Sequence, residues 1–154
     1  LITSLKDTFT WEHTLCSGTP PPLEDTAMVV INGTVFCWGG NATAGIANYT
    51  NMPFHRCALD SLEWYYTTGN NAPLQRSNHT MFVRNGALHV LGGYSTSPTL
   101  PYPSMAMFKL DMSNGHNTWR ANDLRGVSPA AREGHTATLW KASWHLRSML
   151  IFTL

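Results

Sequence analysis

The chain repeats itself, and a repeat restricts the possible architectures more tightly than any single motif. Sliding the sequence by 53 residues lays Trp11 on Trp64, Pro20 on Pro73, Asn32-Gly33 on Asn85-Gly86 and Gly39-Gly40 on Gly92-Gly93. A third copy opens at Trp119, 55 residues after Trp64. In it Pro129, Arg132, His135 and Thr136 follow Pro73, Arg76, His79 and Thr80 at a shift of 56. Features kept in one register over some thirty residues mark a structural unit of 53–56 residues.

Within each unit the pattern is that of strands. Ala27–Ile31 and His79–Val83 are short apolar or β-branched runs, and each leads through Asn-Gly into a second run, Thr34–Trp38 or Ala87–Leu91. Asn-Gly between two such runs predicts a hairpin, because a type I′ turn needs φ > 0 at both central residues. The Gly-Gly pair then ends the second strand, where missing Cβ atoms permit close backbone approach. A loop of about a dozen residues follows (Asn41–Met52, Tyr94–Ser104), then a third strand near Pro53–Asp60 or Met105–Asp111. The fourth strand starts at the tryptophan, as in Trp64–Thr67, and a further strand is expected over 135–140. No segment shows helical spacing over a dozen residues. Four antiparallel strands in so short a unit cannot bury both faces alone, whereas stacking successive units face to face does, which is the logic of a β-propeller.

These residues resemble the kelch repeats, whose pattern runs Pro-x-x-Arg-x-x-His, strand, Gly turn, strand, Gly-Gly, aromatic, a strand ending near Asp, and Trp. The second copy carries Pro73, Arg76, His79, Asn85-Gly86, Gly92-Gly93, Tyr94, Asp111 and Trp119. The first keeps Pro20, Asn32-Gly33, Gly39-Gly40, Asp60 and Trp64 but has Leu23 and Thr26 where Arg and His are expected. The third keeps Pro129, Arg132 and His135, after which Met149–Phe152 stands as its second strand and Thr153-Leu154 replaces Gly-Gly. The resemblance implies an all-β, kelch-type propeller fragment: units near 11–63, 64–118 and an incomplete 119–154, with 1–10 ending a preceding blade. Closed propellers use four to eight blades, so the remaining blades are expected in a longer protein.

The recurring residues read first as framework. Gly39, Gly40, Gly92 and Gly93 serve the backbone, and Arg76, His79, Arg132 and His135 serve as polar links. Trp11, Trp64 and Trp119 are large plates for the interfaces between blades. His55 and Cys57, two apart on one strand, share a face, but no third ligand stands at a suggestive spacing, so no metal or other cofactor is expected. Three cysteines, Cys16, Cys37 and Cys57, provide no disulfide framework, and Cys37 reads as a small buried hydrophobe. Of four Asn-x-Ser/Thr triplets, those at Asn41 and Asn48 fall in an expected exposed loop and are the candidate glycan acceptors.

Functional expectation rests on what varies between copies. The loops after Gly-Gly differ in length and composition, and they offer Tyr49, Phe54, Tyr94 and Tyr102 as binding contacts. Net charge is +1 and charged residues are 12% of the chain, with residues 76–154 basic and 1–75 acidic but the charges scattered, so nucleic acid is not an expected partner. The longest apolar run, Ala27–Ile31, falls far short of a bilayer span. No Gly-x-Ser-x-Gly, phosphate loop or His-Glu-x-x-His occurs. The expected role is a non-catalytic protein-interaction scaffold with a protein partner. The alternatives are a secreted galactose-oxidase-like copper enzyme and a propeller that recognises glycans or cell surfaces, both of which the resemblance also admits. Low charge and abundant Thr and Asn suit a secreted chain, whereas the odd cysteine count suits the cytosol, so the compartment stays open.

Overall fold

The computed structural model describes residues 16–18, 23–42, 54–95, 105–112, 117–122, 127–139 and 149–153, and among them every regular element is a strand. Two four-stranded antiparallel sheets succeed one another along the chain. The first joins β2 (Ala27–Ile31), β3 (Thr34–Trp38), β5 (Phe54–Ala58) and β6 (Glu63–Thr67) in spatial order. The second joins β8 (Thr80–Arg84), β9 (Ala87–Leu91), β11 (Met107–Asp111) and β12 (Thr118–Asn122). A third hairpin pairs β13 (His135–Leu139) with β14 (Met149–Thr153). The innermost strands β2, β8 and β13 stand side by side. Each sheet ends on the strand that opens the next sequence unit, since Trp64 and Trp119 lie on the outermost strands β6 and β12.

The turn chemistry explains the hairpins. Asn32 and Gly33 have φ of 47° and 71°, and Asn85 and Gly86 have 50° and 70°, as a type I′ turn requires. The strand starting at His79 in the sequence reading begins instead at Thr80. Asn78, at φ 51°, bends the chain just before it and leaves His79 at the entrance.

Cross-strand pairing sorts side chains onto two faces of each sheet. Val29, Ile31, Phe36, Trp38 and Phe54 of the first sheet meet Met81, Leu88, Val90, Leu110 and Trp119 of the second in one apolar core. At its centre the rings of Trp38 and Trp119 lie 5.1 Å apart. The other face of the second sheet continues the stack through Phe82, Leu91 and Met107 against Ala137 of the third hairpin.

Main-chain bonds repeat at both seams. Gly40 N–H donates to Arg76 O (2.8 Å) and, one unit on, Gly93 N–H donates to Arg132 O (3.1 Å). Asn78 N–H donates to Asp25 O (3.1 Å), and Gly134 N–H to Asn78 O (2.9 Å). Asp25, Asn78 and Gly134 occupy the same place in their units and all have positive φ. On the outer side Trp64 N–H donates to Ser17 O (2.8 Å), matched by Trp119 N–H to Asn70 O (2.9 Å).

The far face of the first sheet leaves Met28 63% and Val30 55% exposed on β2, with Tyr66 exposed on β6. Exposed apolar faces drive association. Sedimentation velocity should therefore show concentration-dependent oligomers that the pair Met28→Lys and Val30→Lys suppresses. Stability should change by no more than about 0.5 kcal/mol per site, as at other exposed positions.

Candidate interaction surface

Each long loop leaves its sheet at a Gly-Gly pair, and the structure ties down the point of departure. β4 (Asn41–Ala42) pairs with β1 (Leu23–Glu24), and β10 (Tyr94–Ser95) pairs with β7 (Arg76–Ser77). These two-residue splints hold the first loop residues against the segment entering the innermost strand. The first splint forms with Leu23 where the second has Arg76, because main-chain pairing does not depend on the side chain.

Arg76 adds a side-chain tie. Its guanidinium donates through Nη1 to Gly92 O at 3.0 Å and through Nε to Leu74 O at 3.3 Å, and it lies 4.8 Å over the Phe108 ring. Burial lowers its pKa to about 10, which still leaves it charged at neutral pH. The carbonyl of the same residue receives Gly40 N–H from the preceding sheet, so Arg76 fastens two blades and the base of one loop. Arg132, half-buried, repeats the backbone part and turns its Nε to Ala130 O at 3.1 Å.

His79 and His135 are buried beside these ties. The His79 ring meets Trp38 edge-on at 5.5 Å, and Gly39 passes so close that a Cβ there would collide with the imidazole. Neither ring nitrogen of His79 makes a well-formed hydrogen bond, although the carbonyls of Trp38 and Arg76 lie nearest. Burial first, and the Arg76 charge second, lower its pKa to about 4. Burial likewise lowers His135 and His55. Among the described residues no group of three or more His, Cys, Asp or Glu side chains is gathered as a metal ion requires.

The predicted contact residues separate. Tyr94 stands half-buried at the foot of the second loop, on β10. Phe54, expected as a loop contact, is instead 1% exposed on β5, with its ring 6.1 Å from that of Phe36. The strand begins one residue after Pro53, and pairing with Thr67 turns Phe54 into the core. Tyr49, Tyr102, Asn48 and Trp11 lie outside the described residues. Asn41 is half-buried on β4, its Nδ2 donating to Asp25 Oδ2 at 3.3 Å. Trp119 is buried and Trp64 half-buried.

At the opposite end of the strands, a cleft of about 660 Å³ opens between the two Asn-Gly turns, lined by Ile31, Asn32, Thr34, Asn85, Lys109 and Asp111. Sequence reasoning did not anticipate it, nor the left-handed residue before each innermost strand. The register of Asp25, Asn78 and Gly134, residue types that tolerate positive φ, was the available signal for the latter.

No helix among the described residues is long and apolar enough to cross a membrane. No curated protein matches the chain. A family model described as the KLHDC2/KLHL20/DRC7 Kelch-repeats domain matches residues 2–151. With that match covering nearly the whole sequence, and with consecutive four-stranded antiparallel sheets joined by Gly-Gly seams, the chain belongs to the kelch-repeat family.

Proposed function

We propose that the chain is a non-catalytic interaction scaffold that takes a protein partner on the loops leaving Gly39-Gly40 and Gly92-Gly93. The observation that supports this reading is the contrast between fixed base and variable loop. Both loops start from the same splint and the same inter-blade bond, yet their sequences differ throughout. A rigid base lowers the entropy lost when a loop is ordered by a partner. The second loop contains Pro98, Pro101 and Pro103 and places Tyr102 between two of them. Tyrosine supplies a large, partly polar contact at small conformational cost. In the first loop Tyr49 is the corresponding contact, and Tyr94 supports the base of the second.

Tyr102→Ala tests this reading. Capture of the partner from native extract should weaken by about 1–2 kcal/mol, as for an aromatic anchor. Thermal unfolding should shift by no more than about 0.5 kcal/mol in stability. A variant that melts early would show that Tyr102 packs on the blade, and the loop would lose its role as the recognition surface.

A further inference from the structure

The two seams differ at one place where the framework would allow them to be alike. Ser17 N–H donates to Leu62 O (3.0 Å) and Ser17 O receives Trp64 N–H, so Cys16 is held beside β6. Cys57 lies directly opposite Trp64 on the neighbouring strand, and opposite residues share a face. At the next seam Asn70 takes the place of Ser17, and Gly18 and Asn71, one residue on, both have positive φ. That alignment sets Gly69 at the place of Cys16 and Leu110, opposite Trp119, at the place of Cys57. A Cβ at Gly69 would lie 2.8 Å from the Trp119 indole, the ring beside Leu110. A side chain at the Cys16 position is therefore aimed at the tryptophan flanking residue 57. The framework is satisfied by glycine and leucine, but the first seam carries two cysteines.

We propose that Cys16 and Cys57 form a reversible disulfide that locks the Ser17 segment onto the first blade. Cys16 is exposed and Cys57 is 2% exposed, both as free thiols close enough to interact. Burial raises the Cys57 pKa and the adjacent Cys16 thiol raises it further, which assigns the first attack to Cys16. The oxidant is a low-molecular-weight disulfide. The Cys16 thiolate attacks one of its sulfurs, forming a mixed disulfide and releasing one thiolate. Cys57 then loses its proton to solvent and attacks Cys16 Sγ, expelling the second thiolate. Two cysteine thiols are oxidised by two electrons, and the small disulfide is reduced to two thiols. Cys37, buried on the same sheet, takes no part.

The test treats the whole chain with glutathione disulfide and maps its peptides without reduction. The expected product is a Cys16–Cys57 crosslink, formed equally in Cys37→Ser. In Cys57→Ala, Cys16 should stop as the glutathione adduct. Oxidation should raise Tm by at least about 5 °C, because the bond closes a long loop. Cys16→Ala should abolish that rise while leaving the reduced Tm unchanged, since the side chain is exposed. Recovery of wild-type Cys16 only as the glutathione adduct, or crosslinked to Cys37, would overturn the assignment. A crosslink without any rise in Tm would overturn the locking role.

Discussion

Gly93→Val is expected to unfold the second blade. Gly93 has φ of 86°, a conformation that costs a non-glycine residue about 1–3 kcal/mol. A Cβ there would also lie 2.6 Å from both His79 Cβ and Ser77 O. Those atoms belong to the splint and the strand entrance, so neither can retreat without breaking the bonds that hold the loop. Strain and collision together should exceed about 3 kcal/mol, a large share of a small domain's stability. Gly33→Val provides the contrast. It has a similar φ of 71° but nothing within 4 Å, so only the backbone term applies, about 1–2 kcal/mol. Urea unfolding of the two variants should separate them clearly. Equal losses would show that close packing at the seam contributes nothing beyond φ.

Acid should destabilise the fold well above the range where carboxylates titrate. His79 and His89 both have pKa values lowered to about 4, in each case mainly by burial. Arg76 adds to the effect at His79, and Lys109 and Arg84 at His89. An unfolded histidine takes up its proton near pH 6.5. Between those values the unfolded chain holds more protons than the native one, so stability is full above about pH 6.5 and falls as pH drops towards 4. At about pH 5 each histidine should cost about 2 kcal/mol relative to pH 8, or about 4 kcal/mol for the pair. The urea midpoint should fall accordingly. His89→Phe, which preserves stacking on the Phe82 ring 5.2 Å away, should remove about 2 kcal/mol of the loss at pH 5. A midpoint unchanged between pH 8 and 5 would contradict the assignment of these rings as buried and neutral.

How much of this was legible beforehand depends on whether the information is local. The Asn-Gly hairpins could be read directly, because φ > 0 at two successive residues is a demand that few dipeptides meet. Gly92-Gly93 could be read as a close approach, but not what approaches, since His79 and Ser77 arrive from a different part of the unit. Phe54 falls within the strand expected near Pro53–Asp60, but at its first residue the sequence does not tell whether the side chain joins the loop or the core. Its burial is decided by its partner Thr67 and by Phe36, on two other strands. The neighbourhood of Cys16 and Cys57 lies wholly in the pairing of Ser17 with β6, a contact between segments more than forty residues apart. Only laying Gly69 and Leu110 beneath the two cysteines would have exposed the anomaly.

The joints between blades are written mostly in peptide groups: Gly40 to Arg76, Gly93 to Arg132, and the links through Asp25, Asn78 and Gly134. A joint of that kind is indifferent to which residues flank it, provided that the backbone can bend at the same few points. A duplicated unit therefore arrives with its couplings already in place at both ends, and needs no matching mutation in its neighbour to be accepted. Within the first unit the splint at the base of the loop shows the same tolerance, forming with Leu23 where its successor carries Arg76. Gene duplication can then lengthen or rearrange such a chain one unit at a time, and selection is left free to rewrite the loops of each copy separately.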